Sequence, residues 1–456
     1  MVRFTKITAS IGPNSENKDM ITNLISAGVN VFRLNFSHDT GDIQGAKIDI
    51  VRNAAEKAGV PVAVMIDIQG PKHRIGNFAT EKHYPLKVGQ KFILDSDATP
   101  GNEHRVYLPD TDVIRSLAVG DRILLNDGKI ELKVDAVFDD KIETTVIRGD
   151  EIWSRRGFNL PDTDVDTDIL TQKDKADLEY ALTKNPDFVA VSFVQRGEDI
   201  SYVRDFITER TSHPIKIVAK IERPNAVQRI TDIVTASDAI MIARGDLAVE
   251  VPFEQVPAIS RRIIRECRRL NRPVIMATQM LSSMVHSEFP TRAEISDVAT
   301  TAYLRADSTM TSEETTIGDN PVNVIETMNK ILSYADSDTI ANPYDWSRVD
   351  DIPENDWSRS VVSMATLNKV AAIVVFARDT DATIQISCRR PEIPIVAVCS
   401  DAVVANQLCL SRGVFPIFDG LLFGQRDAFN AVRKFGIGTG KLVIVDEDKV
   451  SLRTLD

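Results

Sequence analysis

Glu222 and Asp246 stand near the ends of two neighbouring strand-like runs, KIVAKIE and AIMIARGDL, and Lys220 lies two residues before the first of them. On a strand, positions two apart face the same side, so Lys220 and Glu222 look into one site. Two carboxylates and an ammonium at the tips of parallel strands can hold a divalent cation against a phosphate or an enolate. Other polar residues close similar apolar runs: Arg33, Asn35, Ser37, Asp67, Arg244, Thr278, Ser312 and Glu314. Together they supply cations for phosphate, carboxylates for metal and hydroxyls for proton relay. One buried strand-end ion pair is an ordinary packing device. Such residues on most strand ends are hard to explain by packing, because each costs stability unless something binds it.

The runs that position these residues are near-continuously apolar. They are 6–12, 30–37, 61–69, 188–194, 216–222, 239–247, 273–280 and 308–315, most followed by helical patterns. Strands buried on both faces read this way, and eight β/α units predict a (β/α)8 TIM barrel, with an open doubly wound sheet as the structural alternative. More than a hundred residues separate the third and fourth runs, far beyond an ordinary connection. KVGQKFIL, DRILLNDGKIELKV and KIETTVI inside that gap are β-rich, with DG and DD turn signals. Residues 71–155 are therefore expected to form an inserted small β-barrel domain, placed to act as a lid. The catalytic barrel then comprises 1–70 and 156–340. A polar, acidic stretch over 335–357 marks a boundary, and 341–456 is expected to be an α/β parallel-sheet domain.

The chain has 456 residues, 43% hydrophobic and 26% charged, with a net charge of −12. That balance argues against a dominant role in binding nucleic acid or anionic membranes, while leaving room for a local phosphate pocket. No segment has the roughly 20 apolar residues that cross a bilayer, and MVRFTKITASIGP lacks a signal-peptide core. A cytoplasmic location is expected. Cys267, Cys388, Cys399 and Cys409 form no C-x-x-C pair, so buried reduced thiols are expected rather than zinc or disulfides.

IGP (11–13), RLNFSH (33–38), RRGFNLP (155–161), AKIE (219–222), ARGDLA (243–248), ATQML (277–281) and PTRAE (290–294) resemble the signature segments of pyruvate kinase, in that family's order and spacing. The resemblance runs from residue 5 nearly to the C-terminus, and the few residues before Thr5 make it similar to a bacterial form. It implies a barrel with a β lid and a C-terminal regulatory and oligomerisation domain, a homotetramer, and phosphoryl transfer from phosphoenolpyruvate to ADP giving pyruvate and ATP. By the same resemblance, Glu222 and Asp246 bind Mg²⁺ or Mn²⁺. Lys220 neutralises the phosphoryl group in flight, and Arg33 holds its oxygens. The backbone N–H groups of Gly245 and Asp246 receive the substrate carboxylate, with VPFEQVPAIS beginning a helix whose N-terminus favours the anion. Thr278, Ser312 and Glu314 belong to the route that protonates the enolpyruvate carbon. Pro13, Asn35, His38, Arg74 and Arg156 line the nucleotide side.

The monovalent-cation site that the resemblance implies comprises Asn35, Ser37, Asp67 and Ile68. Where K⁺-dependent members carry Glu, this chain has Lys72, whose ammonium stands in for the ion, so K⁺ is not expected to be required. Glu313 and Ala248 replace glycines of the family pattern. FARDTDATIQ (376–385) replaces its phosphate-binding turn, and Asp379 and Asp381 there would repel a sugar bisphosphate. Two other functions compete: a metal-dependent lyase or aldolase acting on an enolpyruvate, which would not need the inserted domain, and a regulatory pseudoenzyme, for which Glu313 and Ala248 are the support.

Overall fold

The computed structural model describes residues 2–37, 39–163, 165, 167–341, 356–418, 425–447 and 449–455. Eight parallel strands close into a barrel. They are β1 (Lys6–Ile11), β2 (Val31–Asn35), β3 (Ala63–Asp67), β4 (Phe188–Val191), β5 (Lys216–Ile221), β6 (Ala239–Ala243), β7 (Val274–Ala277) and β8 (Ser308–Thr311), and β8 pairs back onto β1.

Alternation along each strand sorts its side chains into two cores. Ile217, Ala219 and Ile221 of β5 face the surrounding helices, whereas Val218 joins Val31, Met65, Ala190, Met241, Ile275 and Met310 inside the barrel. Lys220 shares the parity of Val218. Arg33 and Asn35 share that of Val31, and Asp67 that of Met65. The inner row is thus apolar in the middle and charged at its C-terminal end.

The helices around the barrel begin where local chemistry starts them. Asn17 caps Lys18–Ala27, and Gly28, at φ 116°, ends it in the left-handed conformation. Thr171 and Asp174 form a capping box, as do Thr291 and Glu294 within PTRAE.

Between β3 and β4 lies a six-stranded sheet built from the strands of 91–159, with its own apolar cluster around Phe92, Leu94, Leu125, Leu132 and Ile142. A second sheet, of five strands within 372–455, has four parallel strands and a last strand, Lys449–Leu455, antiparallel to Gly440–Asp446. That last strand was not expected from the sequence. The expected boundary segment falls largely in 342–355, outside the described residues.

Two expected strands are shorter than their apolar runs. The sixth ends at Ala243, and Arg244–Glu250 is a helix. The eighth ends at Thr311, and Glu313–Thr316 is a helical turn. Gly245 and Asp246 therefore sit in the first turn of the 244–250 helix itself. The VPAIS segment opens a separate helix, Val256–Arg269, so the expected anion-facing helix start lies earlier than the sequence suggested.

Candidate active site

The charged end of the inner row is a connected network. Lys220 Nζ lies 2.9 Å from Glu222 Oε1 and 3.3 Å from Asp67 Oδ1, and it donates to Ser192 Oγ at 2.7 Å. Asp67 Oδ2 accepts from Arg33 Nε at 2.7 Å, and Arg33 Nη1 donates to Ser10 Oγ at 2.9 Å. Burial pulls the Lys220 pKa down, but Asp67 and Glu222 outweigh it and hold the ammonium above the ordinary lysine range. Burial likewise opposes ionisation of Asp67, yet Lys220 and Arg33 keep its carboxyl below the usual carboxylate range.

Glu222 Oε2 accepts the Phe193 N–H at 2.8 Å. Asp246 is pushed up to about 6, by burial first and the Glu222 charge second, with Lys220 and Lys72 pulling the other way. Two crowded carboxylates short of positive charge are what a hard divalent cation relieves. Among the described residues no cluster of three or more His, Cys, Asp or Glu could hold a metal. A two-carboxylate site suits an ion that keeps its remaining positions for water and substrate oxygens.

Thr278 and Gln279 both adopt positive φ, 70° and 54°. β-Branched Thr rarely does so, and the surroundings hold it there. Thr278 Oγ1 accepts the Gly245 N–H at 2.7 Å and donates to the Ala277 carbonyl. Arg244 grips the same loop. Its guanidinium forks onto both oxygens of Asp297 at 2.7 Å and donates to the Thr278 carbonyl at 2.8 Å. Glu314, buried, accepts the backbone N–H of Ser312 at 2.6 Å and of Leu281 at 3.1 Å. Each Glu314 oxygen thus accepts one backbone N–H, which ties Ser312 to the loop that carries Thr278. Ser312 is half-buried beside it.

The remaining expected residues are more dispersed. Asn35 Oδ1 accepts the Ser37 N–H, and the Ile68 carbonyl accepts from Ser192. Lys72 Cε lies 3.0 Å from where a Cβ on Gly157 would sit, and its charge is felt at Asp246. Pro13 is exposed in the turn after β1. Arg74 is exposed and donates to the Arg155 carbonyl, and Arg156 lies 4.8 Å over the Trp153 ring. His38 lies outside the described residues.

Ser192 and Phe193 are contributions that sequence reasoning missed. A lone Ser inside the otherwise apolar FVAVSFV run was the available signal. The inserted sheet reaches the site through Asn159, which donates to Glu250 Oε1 at 2.7 Å, and through Gly128, which packs on Val249. Glu313 is exposed in a first helical turn, where a carboxylate is favourable. Ala248 is exposed within the 244–250 helix, where Ala is a better helix former than Gly.

Comparison with known proteins agrees with this geometry. The family model described as "Pyruvate kinase, barrel domain" matches residues 2–325, and "Pyruvate kinase, alpha/beta domain" matches 355–447. The chain belongs to the pyruvate kinase family. A pyruvate kinase of Methylorubrum extorquens is 39% identical over 422 residues, covering 91% of this chain and 86% of the relative. One from Thermococcus litoralis is 34% identical over 440 residues, covering 95% and 92%. The solved structure of a pyruvate kinase from Cryptosporidium parvum superposes with a TM-score of 0.93 at 29% identity, covering all of this chain and 96% of that one. The activity is accordingly that of a pyruvate kinase, a phosphotransferase that moves a phosphoryl group from phosphoenolpyruvate to ADP and gives pyruvate and ATP, the last step of glycolysis. The family implies a divalent metal requirement. No helix among the described residues is long and apolar enough to cross a membrane.

Proposed function

We propose that phosphoryl transfer takes place at the charged end of the barrel's inner row, with Lys220 as its central cation. The observation that carries this reading is the Lys220 ammonium, kept charged between Asp67 and Glu222 next to Asp246. Glu222 and Asp246 would hold Mg²⁺ or Mn²⁺, which when bound supplies Lewis-acid stabilisation of phosphate and enol oxygens. Lys220 and Arg33 face the transferring phosphoryl group and offset its charge as it moves. Lys220 is suited to this as a compact point charge, which the planar guanidinium of Arg would not reproduce. Asp67 keeps both cations aimed inward. The first turn of the 244–250 helix would receive the substrate carboxylate at the Asp246 N–H, with Gly245 joining it only when its own N–H leaves Thr278 Oγ1. Thr278 holds the proton bound for the enolpyruvate carbon, and Ser312 and Glu314 keep the loop around it in place. Pro13, Asn35, His38, Arg74 and Arg156 face the nucleotide. Residues 71–155 close over the site as a lid between barrel segments 1–70 and 156–340, and 341–456 carries regulation and homotetramer contacts. The protein works in the cytoplasm.

The Asn35, Ser37, Asp67 and Ile68 site needs no K⁺ in this reading, because Lys72 brings a fixed positive charge to the site. Its pull on Asp246 supports that role. Coupled pyruvate production from phosphoenolpyruvate, ADP and Mg²⁺ is expected to proceed equally with KCl and with a tetraalkylammonium chloride at the same ionic strength. A many-fold increase with K⁺ would overturn the Lys72 assignment and leave the kinase intact.

A further inference from the structure

The inner row of β1 also has an end away from the catalytic mouth. There Lys6, two positions before Thr8, is 3% exposed and lines a cavity of about 700 Å³ between the barrel and the C-terminal sheet. Arg3, Asn30, Phe415 and Lys434 share its wall. Lys6 Nζ donates to the Val414 carbonyl and lies 4.4 Å from the centre of the Phe415 ring, and it makes no ion pair among the described residues. The nearby carboxylate, Asp336, is already spent on the Phe4 and Thr5 N–H groups, the Thr5 hydroxyl and Arg412. Arg3 Nη2 donates to Gly28 O and Asn30 Oδ1, both at 2.6 Å, while its buried Nη1 has no partner. Burial first and Arg3 second pull the Lys6 pKa down to about 7, with Arg412 adding to the lowering and Cys409 and Asp336 opposing it. Arg3 itself, at about 10, stays charged.

The corner therefore holds a nucleophilic amine, a surplus of cations and an unanswered donor. A modification that leaves the amine cationic, such as a Schiff base, adds no acceptor, and a neutral one, such as an amide, offers an acceptor but no negative charge to set against Arg3. A modification that makes it anionic answers all three. We propose that Lys6 is a carbon dioxide site. The neutral Nζ lone pair forms an N–C bond to CO₂ as one C–O π bond opens, and one N–H proton passes to water. The product is a lysine carbamate anion in the cavity, accepting from Arg3 Nη1.

The test uses the whole protein, equilibrated with carbon-13 CO₂ and bicarbonate slightly above neutral pH. Triethyloxonium tetrafluoroborate then traps carbamates as ethyl esters for peptide mass analysis. Label is expected on Lys6, saturating with CO₂ and absent in Lys6→Arg. In Arg3→Gln the apparent CO₂ affinity at Lys6 should fall roughly tenfold, the worth of one charge-assisted hydrogen bond. Lys6 left unlabelled at saturating CO₂, or found acylated in the untreated protein, overturns the proposal in the wild-type chain alone. Unchanged affinity in Arg3→Gln overturns the assigned carbamate partner.

Discussion

Thr278 carries two duties that pull against each other. In the proposed reaction its hydroxyl carries the proton, and in the structure the same oxygen accepts the Gly245 N–H across the loop at 2.7 Å and donates to the Ala277 carbonyl. Replacing it with Val keeps the shape but leaves the Gly245 donor without its partner. Thr278→Val is expected to lower kcat about 10²-fold, the range for a lost proton-transfer group, with a smaller change in KM for phosphoenolpyruvate. Steady-state kinetics check this, and an unchanged kcat would remove Thr278 from the proton route. Strand parity made Lys220 and Glu222 legible in the sequence as one face, and Arg33 and Asp67 were legible as polar residues closing apolar runs. Ser192 and Phe193 were not legible. Phe193 acts through its backbone N–H at φ 60°, which no side-chain pattern reveals.

The elements that end β6, β7 and β8 hold the chemistry more tightly than the strands do. Glu314 ties the turn after β8 to the loop after β7 through two backbone N–H groups. Glu314→Gln replaces an acceptor oxygen with a donor that faces another donor. A drop in kcat of roughly 10- to 100-fold is expected from the displaced Thr278, with little change in metal or substrate affinity. A wild-type kcat would show that the loop does not need this tie. The sequence overextended β6 because the N-cap of the Arg244–Glu250 helix is Ala243, which offers no side-chain cap, so no start signal marks the change. It missed the last strand because KVSLRTL has only three apolar residues and two of them, Val450 and Leu452, are exposed, so burial leaves little mark on its composition. The eight barrel strands were legible because burial on both faces leaves little freedom in composition.

At the scale of the molecule, buried charges join the barrel to the C-terminal sheet. Arg390 and Asp307 are each about 1% exposed and pair at 2.5 Å, and Asp307 also accepts the Arg412 and Val274 N–H groups. Arg390→Met leaves Asp307 buried without its counter-ion, and about 3–5 kcal/mol of stability should be lost. Urea unfolding measures it, and a cost below about 1 kcal/mol would mean that Asp307 is satisfied by backbone alone. Lys6 makes stability pH-dependent in a defined sense. Its native pKa near 7 lies below the unfolded 10.5. Below pH 7 both states hold the proton and the cost of burying it is fully present. From about 7 to 10.5 the unfolded chain holds a proton that the native one has released, so stability rises with pH. In CO₂-free buffer the Tm of the wild type should rise relative to that of Lys6→Met between neutral and alkaline pH. Parallel curves would contradict the burial of a titrating amine there. All four cysteines are buried and free, as their spacing suggested.

The reading stands most directly on Lys220, so the decisive measurement is coupled pyruvate production by Lys220→Met beside the wild type, with circular dichroism of both. The network shows that Glu222 loses its ammonium partner, so a lowered Tm with native secondary structure is expected. Turnover should fall at least about 10³-fold, as for loss of a group that stabilises the transferring phosphoryl. Near wild-type turnover in a folded Lys220→Met protein would contradict the assignment of phosphoryl transfer to this end of the barrel.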